Sequence, residues 1–265
     1  MPFRSWVEKN VNKTMKKNLL FMLPVMALCL ASCEKNNGNE NKPAQNLVKS
    51  MMFYTNGFSD LDLIERRFEY DAQGGLTGSE LLWDGQLVMR SDITYEDNMI
   101  VETLTSSEQE KGIYRHYLNE EGYLIKSEGE DNWFSSANMS YEYEKEELVR
   151  VTVSEDYGLE EYTYHWNNGD ITGVTYDYDT DYIEYYDVED NFNIDYAAYW
   201  RSILDDMYFC SPSMIKFKGT TSKHLPHTFA GIELLYEFDA DGDITKIKVL
   251  WEGGTGVIEI EYVDK

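Results

Sequence analysis

The sequence predicts an all-β fold, an antiparallel meander of repeated hairpins that forms a curved sheet or an open or closed barrel, with one short helical insertion. Three observations predict it. The stretch Phe68-Glu69-Tyr70-Asp71-Ala72-Gln73-Gly74-Gly75-Leu76-Thr77 reads as strand, turn, strand: aromatics alternate with a polar residue, an acidic Gly-rich turn follows, and an aliphatic residue restarts the alternation. The unit then recurs. An aromatic precedes a polar turn at Tyr70, Tyr95, Tyr117, Tyr143, Tyr164 and Phe238, the first five spaced 25, 22, 26 and 21 residues apart, which suits one hairpin per repeat. Finally, the chain carries 21 tyrosines, a residue that favours strands because its ring packs while its hydroxyl reaches water or a partner.

Taken in order, the chain opens on a targeting segment, residues 1–32. Met15 is followed by Lys16 and Lys17, an apolar run from Leu19 to Leu30 broken only by Pro24, and then Leu30-Ala31-Ser32-Cys33. That is a signal peptide with a lipobox, too short to span a bilayer as a helix, and Met15 is the expected true start. Cys33 is the expected lipidation site. Cys29 is removed with the signal, so only Cys210 remains and no internal disulfide is expected. Removing residues 1–32 takes away five basic residues and one acidic residue, leaving 18 against 48 and a net charge of −30. Such a chain is repelled by nucleic acid and anionic lipid, and suits a cation, a basic protein or simple solvation. Residues 33–45 are polar and Asn-rich (EKNNGNENKPAQ after the cysteine) and read as a disordered tether.

Residues 46–265 form the expected single β domain. After each turn an aliphatic residue or Met resumes the alternation, at Leu76, Met99, Leu124, Leu148, Ile171 and Ile244, while Gly74, Gly75, Gly122, Gly169 and Gly242 supply the positive φ of tight turns. In Tyr141-Glu142-Tyr143-Glu144 and Ile258-Glu259-Ile260-Glu261-Tyr262 one face is apolar or aromatic and the other acidic. A membrane-spanning barrel would carry an outward apolar band with aromatic girdles, which these short, irregular strands do not match. The repeat lapses between about residues 187 and 228. Ala197 to Met207 reads as one helix, with Trp200, Leu204 and Met207 at i, i+4 and i+7, stopped by Cys210-Ser211-Pro212-Ser213. Lys216, Lys218, Lys223 and His224 in this insertion make the one basic patch of note in the mature chain. It is either a cap on one end of the sheet or the part that carries the protein's individual character.

The Tyr-acid-x-x-Gly-x-Leu turns resemble the YD repeats of secreted bacterial proteins. Taken with the lipobox, the Asn-rich tether, Asn193-Ile194-Asp195, Gly219 and Ser222-Lys223-His224-Leu225-Pro226, they resemble a family of Bacteroidota lipoprotein domains of unknown function described as having a porin-like fold. The resemblance covers about Met51 to Lys265. It implies a many-stranded antiparallel sheet and an outer-membrane, lipid-anchored location, and no activity, substrate or catalytic residue. In Bacteroidota lipoproteins acidic residues just after the lipidated cysteine are associated with export to the cell surface, and Glu34 fits; a periplasmic location is the alternative.

Asp239, Asp241 and Asp243 resemble the opening of a calcium loop, but the sixth and twelfth positions are Ile244 and Leu250, and the motif also fits a hairpin turn. Asp177, Asp179 and Asp181 alternate along a strand and read as charge dispersion. His224 and His227 lie three apart, a metal-ligand spacing on a helix, although Pro226 between them opposes one. His116 and His165 carry no motif, and Cys210 reads as a small buried hydrophobe. No nucleophile elbow, phosphate loop or Cys-x-x-Cys pair occurs. Trp83, Trp133, Trp166 and Trp251 are candidate rings for stacking on a sugar, or else part of the core. The expected function is therefore a non-enzymatic, lipid-anchored envelope protein that binds a glycan or an envelope partner. The alternatives are an accessory subunit of an outer-membrane complex, docking by a sheet edge or the insertion, and a hydrolase using a carboxylate pair.

Overall fold

Period-two alternation puts every second side chain on one face, and a sheet that buries one face must curl or be covered. In the computed structural model, which describes residues 47–56, 63–130, 138–155, 158–176, 179–189, 219, 222–229 and 231–263, the sheet curls until it closes. The first eight strands are β1 (Val48–Asn56), β2 (Leu63–Tyr70), β3 (Leu76–Trp83), β4 (Gln86–Glu96), β5 (Met99–Ser106), β6 (Lys111–Leu118), β7 (Leu124–Glu130) and β8 (Asn138–Glu144). The rest are β9 (Glu147–Glu155), β10 (Gly158–Asn167), β11 (Asp170–Tyr176), β12 (Asp179–Glu189), β13 (His224–Phe229), β14 (Ile232–Phe238), β15 (Ile244–Trp251) and β16 (Gly254–Tyr262). Each strand pairs antiparallel with its neighbours in sequence, and β16 returns to β1, with Met51 opposite Ile260 and Phe53 opposite Ile258. The expected meander is thus a closed barrel. The helix expected over Ala197 to Met207 lies outside the described residues.

The inward face is the core. Met51, Phe53, Ile64, Leu124, Leu148, Ile171, Phe229 and Ile258 are all at most 1% exposed, and one apolar cluster draws side chains from all sixteen strands. Tyr141 is buried and Glu142 and Glu144 are exposed, as the alternation requires.

Strand ends gather at two rims. One, the turn rim, holds the repeat turns 71–75, 97–98, 119–123, 145–146, 168–169 and 239–243, together with both ends of the barrel, where the Val263 N–H donates to the Leu47 carbonyl. The five-residue turns are copies of one device. Asp71 Oδ1 accepts from the N–H groups of Gln73 (2.8 Å) and Gly75 (2.7 Å), Asn119 Oδ1 from Tyr123 (2.7 Å), and Asp239 Oδ1 from Asp241 and Asp243 (both 2.9 Å). The fourth residue of each turn, Gly74, Gly122 or Gly242, has φ of 82°, 88° or 92°, a region costly for other residues. Gly75 differs from the expectation. It is not at positive φ, and the matching turns hold Tyr123 and Asp243 at that place.

The aromatics before the turns form a clasp between repeats. The Tyr95 hydroxyl donates to the Leu76 carbonyl (2.9 Å), Tyr143 to Leu124 (2.8 Å), Tyr262 to Ile244 (2.8 Å) and Tyr70 to Val48 (2.8 Å), while the Trp166 indole N–H does the same to Leu148 (2.8 Å). In each case the aromatic at the end of one hairpin strand holds the carbonyl at the start of the strand before it. Two positions break the series. Leu118, opposite Leu124 as Tyr70 is opposite Leu76, takes the clasp position without a donor, as does Phe238 opposite Ile244, and Tyr117 turns outward to Glu128 (3.0 Å). Replacing Leu118 by tyrosine should supply the missing hydrogen bond and raise stability by about 0.5 to 1.5 kcal/mol in urea titration. A loss of stability would mean that the rim at β6 has no room for the ring.

Candidate functional site

The two faces of the wall differ chemically, and that difference decides what the barrel can do. Outward residues carry charge in pairs and small networks. Arg90 reaches Glu69 (2.8 Å), Glu80 (3.0 Å) and Asp92 (3.0 Å), and the hydrogen bonds it donates to Glu69 and Asp92 hold its guanidinium pKa above the usual range. Lys246 pairs with Glu259 (3.1 Å), Lys248 with Glu237 (2.7 Å), Arg150 with Glu142 (3.2 Å), and Lys126 with Glu128. Glu128 is pulled below the usual carboxylate range by the Lys126 and Tyr117 hydrogen bonds. A lipid-facing wall has the opposite arrangement, apolar outside and polar inside. Here hydrocarbon would have to desolvate each of these charges.

Inside the barrel a polar chain crosses five neighbouring strands. Ser91 on β4 donates to Glu102 Oε1 on β5; Glu102 Oε2 lies 3.7 Å from His116 Nε2 on β6; His116 Nδ1 shares a 2.9 Å hydrogen bond with Ser127 Oγ on β7; and Ser127 Oγ lies 3.3 Å from the Tyr141 hydroxyl on β8. The Tyr141 hydroxyl also contacts Met139 Sδ at 3.2 Å. The chain is buried throughout: Ser91 is 4% exposed, Glu102 3%, His116 0%, Ser127 3% and Tyr141 6%. At 3.7 Å the Glu102–His116 contact is an ion-pair distance and too long for a hydrogen bond, which leaves His116 Nε2 without one among the described residues. Serine, histidine and glutamate are the residue types of a nucleophilic triad. The geometry serves packing instead. Ser127 Oγ is engaged on one side by His116 and on the other by Tyr141, and a substrate carbonyl has no approach to an atom enclosed by core residues. The sequence held a signal for this chain: Glu102 and His116 fall on the same alternation as Ile100 and Tyr114, where an apolar residue is the rule.

At the turn rim, the return from the insertion is fastened by a second polar group. Asp170, 7% exposed, accepts from the N–H groups of Lys223 (2.8 Å) and His224 (3.0 Å), and its Oδ2 lies 2.8 Å from His224 Nδ1. Ser222 Oγ accepts from the Ile171 N–H (3.1 Å) and meets the Tyr185 hydroxyl at 2.9 Å. His224 and His227 lie on strand β13, not a helix. They have separate partners, His227 Nε2 lying 3.2 Å from Glu233 Oε1 with its ring 4.3 Å from that of Tyr186. Asp239, the first of the candidate calcium ligands, is committed to its turn, and the neutral Asn119 does the same work in the matching turn. No group of three metal-ligating side chains is found among the described residues. Of the alternating aspartates, Asp181 points inward opposite Val174, and burial raises its carboxyl above the usual range despite the Tyr176 hydrogen bond.

The candidate tryptophans divide. Trp166 is a clasp, its N–H held by Leu148, and Trp251 lies over Gly254, where a Cβ would come within 2.6 Å of its Nε1. Both pack partly against the core. Trp83 is half-buried at the end of β3, opposite Ile64, and Trp133 lies outside the described residues, as do Cys33 and Cys210.

No family model matches the sequence, and no curated protein matches it either. Solved structures do. The chain is similar to a porin-like protein from Bacteroides uniformis, with a TM-score of 0.60 at 14% identity, covering 82% of this chain and 96% of that one. It is also similar to a porin-like protein from Bacteroides vulgatus, with a TM-score of 0.52 at 13% identity, covering 83% and 100%. At these identities the likeness establishes a shared porin-like barrel fold. It agrees with the fold implied by the turn motifs.

Proposed function

We propose that the protein is a lipid-anchored component of the cell envelope, held at the outer membrane through Cys33 and exposed at the cell surface, where its barrel binds a glycan or another envelope component without chemical turnover. The observation that carries this reading is the polarity of the wall. An apolar inner face and an ion-paired outer face suit a barrel surrounded by water, so membrane attachment has to come from elsewhere, and the lipobox ending at Cys33 supplies it. The Bacteroides origin of the similar barrels, named porin-like, is consistent with an envelope setting. Docking by a sheet edge is not available to the described barrel, because a closed sheet has none. Replacing Cys33 by alanine should move the protein from the membrane fraction to the soluble fraction, and an impermeant reagent should label the parent on intact cells. Retention of the alanine variant in membranes would sink the lipid anchor, and absence of labelling would put the protein on the periplasmic face.

A further inference from the structure

We propose that the outer wall over β10, β11 and β12 is a saccharide-binding subsite centred on Tyr182, a proposal that rests on the reading of this protein as a glycan binder. Most aromatic rings here are occupied by core packing or by the clasps of the turn rim. Tyr182 is different. It is 72% exposed on the outward face, its neighbour Ile183 being 4% exposed on the inward one, and its hydroxyl has no partner among the described residues.

What surrounds it makes a shaped surface. Across the sheet, Tyr182 on β12 pairs with Gly173 on β11, and Gly173 pairs with His165 on β10. Adjacent strands are about 4.8 Å apart, so His165 and Tyr182 stand about 10 Å apart with the buried Gly173 between them. The Thr180 methyl and the Tyr182 ring cover that glycine, 3.3 and 3.6 Å from where its Cβ would sit, and leave the outer face of the ring exposed. Along one side runs an ordered polar row, His165 Nε2 to Thr175 Oγ1 at 2.7 Å and Thr175 Oγ1 to Thr180 Oγ1 at 2.8 Å. On the other side Glu184, two residues from Tyr182 on the same face, is exposed.

These parts match one ligand chemistry. An exposed aromatic face takes the polarised C–H groups of a sugar ring, while the hydroxyls of Thr175 and Thr180 exchange hydrogen bonds with its hydroxyl groups and the Glu184 carboxylate accepts from them. A net charge of −30 without the targeting segment selects a neutral sugar over a sulfated or uronic one.

The test uses the protein lacking residues 1–33 on an array of neutral oligosaccharides of glucose, mannose, galactose, xylose and N-acetylhexosamine, followed by calorimetry with the best ligand. The parent should bind at least one neutral probe. Tyr182→Ala should bind it at least about tenfold more weakly, Tyr182→Trp should retain binding, and His165→Ala should fall between them, with thermal midpoints unchanged because Tyr182 is exposed. If Tyr182→Ala binds as tightly as the parent, the subsite is wrong while the glycan-binding reading stands. If the parent binds none of the neutral probes, the glycan form of that reading fails and the subsite with it.

Discussion

Glu102→Leu and His116→Leu should each destabilise the barrel severely, while the double replacement should recover much of the loss. Glu102 is 3% exposed and His116 is fully buried, so removing either leaves the other enclosed in the core with its ion-pair neighbour gone and one serine as its remaining hydrogen-bond partner among the described residues. Breaking a buried pair in this way costs about 3 to 5 kcal/mol, because the surviving polar group still bears its desolvation penalty. Removing both groups together abolishes that penalty, and well-packed apolar replacements for buried pairs are often neutral. Ser91 and Ser127 limit the recovery, since each loses a partner and is itself buried. Urea unfolding of the two single variants and the double variant measures the coupling directly. Additive losses in the double variant would mean that Glu102 and His116 do not act on each other, and that each is held by its serine alone.

Asp170→Ala should give the second large effect, and a local one. Its carboxylate satisfies two backbone N–H groups and the His224 ring, all at the point where the chain returns to the barrel as β13. Losing a charged acceptor from three donors costs about 2 to 4 kcal/mol when the site is shielded from water. Asp170→Asn keeps one carbonyl acceptor and should lose less. Hydrogen exchange separates a local from a global effect: amides at residues 222–225 should exchange faster in the alanine variant, while those of β3 and β4 follow only the change in global stability. Equal protection at 222–225 in parent and variant would show that the return is held by Ser222 and the β12 ladder instead.

How far the fold could be read from the residues depended on range. The hairpins were legible because alternation and turn chemistry are local: Phe68 to Thr77 contains its own strand ends, its Asx turn and its restart at Leu76. Closure was not legible, because whether β16 meets β1 depends on tilt and register accumulated over all sixteen strands. The anchor at Tyr117 was misplaced by one residue for a related reason. Matching Asn119 to Asp71 and Asp239, instead of matching tyrosines, would have put Leu118 in the clasp position. The candidate sites were less legible still. Tryptophans drew attention through ring size, yet Trp166 and Trp251 serve the scaffold, whereas Tyr182 became conspicuous only when its neighbour across the sheet proved to be glycine. The buried polar chain joins residues 11 to 14 positions apart, with no motif to mark it beyond a polar residue at an inward position.

The seam between β1 and β16 has a mechanical meaning. β1 begins at the turn rim and is paired along its length with β16 and over Ser50 to Tyr54 with β2. Interstrand hydrogen bonds lie across the strand direction, so a pull on the N-terminal segment loads both ladders in shear, with many bonds sharing the force at once. Peeling a strand from a free edge would break them one at a time. A pull outward along β1 with the barrel body held is therefore resisted in shear, and should meet a high-force event in which β1 slides out from between its two neighbours.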